Sequence, residues 1–393
     1  MKKKILYIHP TNKKLKYGAQ YINALIIKKL KTKGYIVDTV YPENRITILN
    51  DCLAGINSIL FYYSLISKKK QSKKYNIIQG TTFTVLPFLE NGVPVISHFG
   101  STTCGFLETV PTDKKLYLEN MDVFSILSHI KLELKINNNG VSIKSLQDIN
   151  KMEIEVAKKS TAVIATSKNV EKELIKNGVK KNKIFLVYNA IEDYWFKQKL
   201  IKKVKPTANL VYIGRMGDDV FTIKLKGISR LIWILKQFPN LNKKIIGLCS
   251  KYKEYESVFS KIPNTKAILS LEKQKIPKEL SSNYGDLYLN PGRYEGFCLS
   301  LIEAMSQGLV PIVFPIGVAP EIIKNGKNGY IVNSVNEMIT KIKYLKNNKL
   351  KREAMAKEAT MTSKQFTAEI MVKKLSKIYT FVSKDNYESN RIK

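Results

Sequence analysis

The chain alternates short apolar runs, rich in isoleucine, valine and leucine, with longer stretches whose apolar positions fall at helical spacing. In the first half the runs are Ile5–Ile8, Tyr35–Val40, Asn76–Ile78, Val93–Ser97, Ala162–Ala165 and Ile184–Val187. In the second half they are Leu210–Ile213, Lys244–Leu248, Lys266–Leu269, Asp286–Leu289, Val310–Val313 and Tyr330–Val332. Near-continuous apolar runs are what a strand buried on both faces requires, and strands alternating with helices predict parallel pairing through helical crossovers. The expected class is α/β, in two sets of strands. Between the sets, the polar, lysine-rich stretch Lys197–Ala208, with Pro206, reads as a connector. Two Rossmann-like, doubly wound domains are therefore expected, over 1–197 and 209–367, facing each other across a cleft with ligands at the C-terminal ends of the strands. Ala368–Val382 carries Ile370, Met371, Leu375, Ile378 and Tyr379 at near-helical spacing, and a last helix over about 368–393 is expected to pack back on the first domain.

Composition agrees with this plan: 393 residues at 44% apolar content are enough for two cores. Charge adds a separate question, because 66 Lys and Arg against 32 Asp and Glu leave a net +34. Nucleic acid is the first partner such a number suggests. The excess is, however, spread over both halves, with no arginine-rich tail and no zinc-finger or RNP-type signature, so nucleic acid is not expected as a partner. A lysine-, isoleucine- and asparagine-rich background fits an AT-rich coding bias, with attraction to anionic surfaces as its physical consequence.

The cysteines Cys52, Cys104, Cys249 and Cys298 form no Cys-x-x-Cys pair or Cys/His cluster, which points away from structural zinc and a disulfide framework and toward a reduced compartment. After Met1-Lys2-Lys3-Lys4, the apolar run Ile5–Ile8 is too short for a signal-peptide core. The longest uncharged stretches, Cys52–Ser67 and Asn91–Leu107, are broken by Gly, Ser, Thr, Asn or Pro and do not read as bilayer spans. A cytoplasmic protein is the expectation.

The stretch richest in chemistry is 285–332, GDLYLNPGRYEGFCLSLIEAMSQGLVPIVFPIGVAPEIIKNGKNGYIV. A strand there gives way to a Pro-Gly turn, then to Glu295-Gly296-Phe297 and a helix around Leu299–Gln307 that Gly308 can stop. A helix start just beyond a strand end offers free N–H groups and a positive dipole to an anion. Glu295 lies in the turn and Glu303 one to two helical turns further on. Spacing alone leaves two readings open: carboxylates reaching a polar ligand, or a helix-capping charge and an ordinary solvated residue.

This stretch resembles the retaining glycosyltransferases of the GT-B fold, family 4 (glycosyl transferases group 1). The likeness rests on the Glu-x7-Glu pattern, with Gly-Phe after the first Glu and Ala after the second. A Pro-containing strand follows, then Glu321 and Gly326/Gly329. Further matches run in order: Gly18, His98-Phe99-Gly100, Ser167, Asn189-Ala190-Ile191-Glu192, Gly214-Arg215 and Lys226-Gly227. The resemblance implies a metal-independent transferase that moves a hexose or N-acetylhexosamine from a nucleotide-diphosphate sugar, UDP-sugars favoured. The acceptor would be a glycan or a lipid-linked acceptor in cell-surface polysaccharide or glycoconjugate synthesis.

It also implies roles for individual residues. Arg215 and Lys226 serve the diphosphate, as do the backbone N–H groups around Gly296, Phe297, Cys298 and Leu299. Glu295 and His98 lie by the donor sugar as the catalytic pair, Glu303 takes the ribose hydroxyls, and Gly18 lets backbone approach phosphate. Lys224, beside the motif, is expected to be a solvated surface charge, and His9 and His129 to have weaker claims. Cys298 reads as a small residue at a crowded helix start. No Asp-x-Asp metal motif occurs, so positive side chains would have to stand in for a metal. Three stretches depart from the family pattern: Asn189–Glu192, the acidic loop Met216–Leu225 with Asp218 and Asp219, and Gly247-Leu248-Cys249.

Two further readings belong to other classes: a catalytically silent GT-B subunit that binds a partner enzyme or membrane, and a basic nucleic-acid binder. Acceptor contacts are expected from the loops Pro10–Tyr17 and Phe99–Lys115. The lysine groups Lys2–Lys4, Lys13/Lys14/Lys16 and Lys68–Lys70/Lys73/Lys74 would suit peripheral docking on the anionic inner face of the cell membrane.

Overall fold

The computed structural model describes residues 3–15, 18–43, 54–136 and 143–389. Lys2, Lys16, Tyr17 and Cys52 lie outside the described residues. Two compact units emerge, one from Met1–Leu107, Ser142–Ile191 and Phe366–Lys393, the other from Glu108–Val141 and Glu192–Gln365.

The first unit holds a six-stranded parallel sheet: β1 (Lys4–Ile8), β2 (Ile36–Val40), β3 (Ile77–Thr81), β4 (Val95–Phe99), β5 (Ala162–Ala165) and β6 (Ile184–Leu186), in the order β2-β1-β3-β4-β5-β6. β4 and β5 are buried throughout, β5 as its unbroken apolar character requires and β4 with Ser97 and His98 among its buried residues. β3 runs beyond the expected Asn76–Ile78 through Gln79, Gly80 and Thr81. Gln79 is tolerated there because its Oε1 accepts a 2.5 Å hydrogen bond from the buried Tyr379 hydroxyl. Tyr379 belongs to the helix Ala368–Ser389, which buries Met371, Val372, Leu375, Ile378 and Val382 in this unit, while Ile370 remains 42% exposed.

The second unit holds β7 (Leu210–Arg215), β8 (Lys243–Leu248), β9 (Thr265–Leu269), β10 (Leu287–Asn290), β11 (Val310–Val313) and β12 (Tyr330–Ile331), in the order β12-β11-β10-β7-β8-β9. Counted from its own first strand this is the order 6-5-4-1-2-3, the doubly wound arrangement whose direction reverses between β7 and β10.

The units differ from the expected 1–197 and 209–367 in two ways. The helices Asp113–Glu119 and Met121–Glu133 join the second unit, because Leu116, Val123, Leu127, Ile130 and Leu134 are buried in its core. Lys224 fastens the same segment. Far from being a solvated charge, it is buried, donates to the Pro111 carbonyl at 3.0 Å and pairs with Asp113. The candidate acceptor loop Phe99–Lys115 is consequently divided between the two units. Second, the unit boundary falls at Ile191/Glu192, and the supposed connector 197–208 is strapped to the second unit. The fully buried Arg352 guanidinium donates to the carbonyls of Lys205 (2.6 Å), Pro206 (2.7 Å) and Gly285 (2.9 Å) there.

Candidate active site

The direction reversal at β7 and β10 positions the chemistry of the second unit. These strands pair in parallel, with Leu287 opposite Leu210 and Tyr288 opposite Val211, so both carboxyl ends emerge on one edge of the sheet. In a doubly wound sheet this is where a crevice opens. Arg215 ends β7 and is exposed, while Glu295, Gly296, Phe297, Cys298 and Leu299 follow β10. The Arg215 carbonyl accepts from the buried Tyr212 hydroxyl at 3.1 Å.

Lys226 is the last residue of a helix, Val220–Lys226, so most of the supposed loop 216–225 is helical. Asp219 caps that helix by accepting from Thr222 N at 2.8 Å. Asp218 accepts from the backbone of Ser250 (3.0 Å) and Lys251 (3.2 Å), which binds this segment to the loop after β8. The helix stops at Gly227 in the left-handed region (φ 65°), and the next helix, Ile228–Lys236, starts from it. A side chain at Gly227 would lie 2.2 Å from the Pro291 carbonyl oxygen. Only glycine permits this approach, which brings Lys226 against the turn after β10. Lys226 Nζ pairs with Glu295 Oε1 at 2.5 Å.

The turn is held from beneath. Asn290 Oδ1 accepts from Gly292 N at 3.0 Å, and Asn290 Nδ2 contacts Cys298 Sγ at 3.2 Å. Gly317 (φ 54°) passes so near the Phe297 carbonyl that a Cβ would lie 2.5 Å from it. The helix Leu299–Ser306 begins at Cys298 with no side-chain cap, and Leu301 N donates to the Cys298 carbonyl at 3.2 Å; a helix start of this kind favours an anion. Cys298 itself has φ 76°, and burial, aided by Glu295, pushes its thiol up to about 12. It is a protonated spacer, not a nucleophile.

Glu303 is buried on that helix and is not a solvated residue. Its Oε1 is 3.0 Å from Lys273 Nζ, and Lys273 also bonds Glu192 at 2.9 and 3.0 Å. Burial holds the Glu303 carboxyl above its usual range; Lys273 opposes that shift and Glu192 reinforces it. Neither Lys273 nor Glu192 was a sequence candidate for this contact. Glu192 stands out in the sequence only as part of the Asn189–Glu192 stretch, and the three residues are far apart in the chain with no motif linking them.

Gly18 and His98 belong to the first unit. Gly18 opens the helix Gly18–Thr32 that follows β1. His98, on β4, is buried. Burial lowers it to about 4, partly offset by Asn189, so the ring is neutral at physiological pH. A neutral imidazole can donate from one nitrogen and accept at the other. Sequence reasoning also missed Glu153, whose carboxylate accepts from Thr103 N at 2.9 Å and is pushed up to about 7 by burial. His9 accepts from Thr11 N at 3.3 Å, and His129 lies 3.5 Å from Glu133 on one helix face, local contacts in both cases.

Two parallel six-stranded sheets with helices, one carrying paired carboxylates and cations at its reversal point, define an α/β nucleotide-type architecture. Residues 196–362, within the second unit, match the family of glycosyl transferases group 1. Among relatives, a 41.2 kDa protein of the cps region of Klebsiella pneumoniae is 29% identical over 187 residues, 45% of this chain and 49% of that protein. The match thus spans about half of that relative's length. A glycosyltransferase of Methanocaldococcus jannaschii is 26% identical over 72% of each chain. The fold is that of GT-B glycosyltransferases. A sucrose-phosphate synthase from Thermosynechococcus elongatus superposes with a TM-score of 0.71 at 14% identity, over 97% of this chain and 99% of that one. The HepE protein of Anabaena, solved with UDP, gives 0.64 at 14% identity over 97% and 100%.

Proposed function

We propose that this protein is an anomer-retaining glycosyltransferase of family 4, which transfers a hexose or N-acetylhexosamine from a nucleotide-diphosphate sugar without a metal. The observation that carries the proposal is the Lys226–Glu295 pair at the reversal point of the second sheet, beside the uncapped start of Leu299–Ser306. An ammonium and a carboxylate in such contact are ready to exchange each other for ligand groups. Lys226 turns to the leaving diphosphate together with Arg215 and the N–H groups of Phe297, Cys298 and Leu299. Glu295 turns to the donor sugar, where it balances developing positive charge. Glu303 accepts hydrogen bonds from the ribose diol. His98 hydrogen-bonds the sugar through an imidazole nitrogen, and Gly18 admits backbone to phosphate. The acceptor hydroxyl attacks from the leaving-group side, and the departing phosphate oxygen takes its proton.

UDP-sugars are the favoured donors, a choice supported by HepE, which was solved with UDP and with UDP-glucose. A glycan or lipid-linked acceptor at an anionic membrane face, on the cytoplasmic side, completes the reading. No helix among the described residues is long and apolar enough to cross a membrane, so docking would be peripheral.

The test is transfer and slow donor hydrolysis with a panel of UDP- and GDP-sugars. Lys226→Ala and Glu295→Ala should each reduce turnover by at least about two orders of magnitude, the scale of one lost transition-state contact. Undiminished turnover in both folded variants would overturn the assignment. Donor binding without transfer or hydrolysis in the wild type would identify a silent subunit instead.

A further inference from the structure

We infer that Lys273 is a positioning residue that keeps Glu303 ionised and aimed for the donor ribose, with Glu192 as the opposing charge that sets how strongly it does so. The inference rests on the proposed nucleotide-sugar activity and names a determinant of donor binding that the Glu-x7-Glu pattern does not contain.

The geometry is a buried bridge. Lys273 lies in the short helical turn Lys273–Lys275 after β9, Glu192 just past the unit boundary, and Glu303 in the helix Leu299–Ser306. All three side chains are largely out of water, at 15% exposure for Lys273 and Glu192 and 6% for Glu303. The ammonium meets Glu303 Oε1 at 3.0 Å and both Glu192 oxygens at 2.9 and 3.0 Å. Two carboxylates thus share one cation, and the trio carries a net negative charge where charge is costly. A diol recognises an ionised carboxylate, which accepts two hydrogen bonds, whereas a protonated carboxyl has lost part of that capacity.

Burial favours protonation of Glu303. Lys273 opposes it and Glu192 adds to it, and these are the two charged groups that act on the carboxyl. Glu295, earlier in the same segment, pairs with Lys226 instead. Lys273 stays charged despite its burial because Glu303 and Glu192 together outweigh the desolvation.

The consequence is a pH dependence of donor affinity whose direction each variant fixes. Because Glu303 is raised above the ordinary carboxylate range, nucleotide affinity is lost as pH falls through its pKa. Removing an opposite charge at this distance moves a carboxyl up by roughly one to three pH units. Lys273→Met should therefore shift the affinity midpoint up by at least about one unit, and Lys273→Arg should largely restore it. Glu192→Gln removes the competing carboxylate while keeping the side-chain shape and one acceptor oxygen for Lys273, and should move the midpoint down, which keeps the inference testable even if Lys273→Met folds poorly.

The experiment is calorimetric titration of the full chain with UDP, between about pH 5 and 8, beside 2′,3′-dideoxy-UDP. Opposite midpoint shifts for Lys273→Met and Glu192→Gln, seen with UDP and absent with the dideoxy analogue, would establish the role. Coincident profiles for wild type, Lys273→Met and Glu192→Gln, with UDP binding intact, would overturn the role of Lys273 and leave the activity standing. A wild type that binds neither UDP nor other nucleoside diphosphates would overturn both.

Discussion

Burial pushes Glu153 up to about 7 and His98 down to about 4, so these two groups of the first unit respond to pH with opposite sign. For Glu153 the folded value lies above the unfolded 4.5, so its contribution to stability is full below 4.5 and is lost as pH rises through 7. For His98 the folded value lies below 6.5, so its contribution is present above 6.5 and is lost as pH falls through 4. Glu153→Gln isolates the first effect, because a carboxamide oxygen can still accept from Thr103 N. In urea unfolding, the variant should gain on the wild type by up to about 3 kcal/mol between pH 4.5 and 8. Parallel pH dependences would contradict this. Neither group's environment is legible from the chain: Thr103 and Glu153 are 50 residues apart, and only the packing of the helix Ile143–Lys159 joins them. Local sequence places Arg215 at a strand end and Glu295 in the turn after one, whereas Glu303 inside its helix and Lys226 at the end of another are singled out only by the resemblance to a family motif. Lys273 is singled out by neither, because its importance comes entirely from partners distant in sequence.

Every expected strand has a counterpart among the described residues, and the fully buried ones, such as β5 and β11, leave a nearly continuous apolar trace in their own few residues. What the trace lacks is partner identity. The amphipathic helices at 113–133 bury the same residue types whichever core they join, and only Lys224 and the fit against the second core decide the matter. Gly227 shows how one residue sets the relation of two elements. Substituting alanine there carries a penalty of about 1–2 kcal/mol for the left-handed backbone and, in addition, drives a methyl into the Pro291 carbonyl at 2.2 Å. The element must shift, because the obstacle is backbone. Gly34→Ala is the control: it has φ 84° but nothing within 4 Å, so it carries the backbone penalty alone. Gly227→Ala should lose more stability than Gly34→Ala in denaturant melts and should weaken UDP binding at least about tenfold, by moving Lys226 away from the position at which it would meet the diphosphate. Equal losses, with UDP affinity kept, would show that the close approach is not what positions the lysine.

At the scale of the whole molecule, the net charge of +34 has no single origin. Some lysines are consumed internally: Lys224 and Lys273 in buried pairs, Lys243 on the carbonyls of Leu241 and Pro263, and Lys3 on the Tyr379 carbonyl. Others face water. On the short helical turns Ser64–Lys68 and Lys70–Lys74, Lys68, Lys70, Lys73 and Lys74 are exposed, with Tyr63 at 45% and Ile66 at 39% exposure in the same stretch. Lysines interspersed with exposed apolar side chains suit an anionic lipid interface, where each cation near the surface contributes about 1 kcal/mol and falls off within a Debye length. If this stretch docks the protein, replacing Lys68, Lys70, Lys73 and Lys74 with glutamine should reduce flotation with phosphatidylserine vesicles at least about tenfold at roughly 0.1 M salt. Raising salt to about 0.5 M should erase most of the difference, and neutral vesicles should bind wild type and variant equally weakly. UDP affinity should be unchanged, since none of these lysines is among the residues assigned to the donor. Equal flotation of both proteins on anionic vesicles would assign these lysines to the general background of the sequence and remove the membrane from the account.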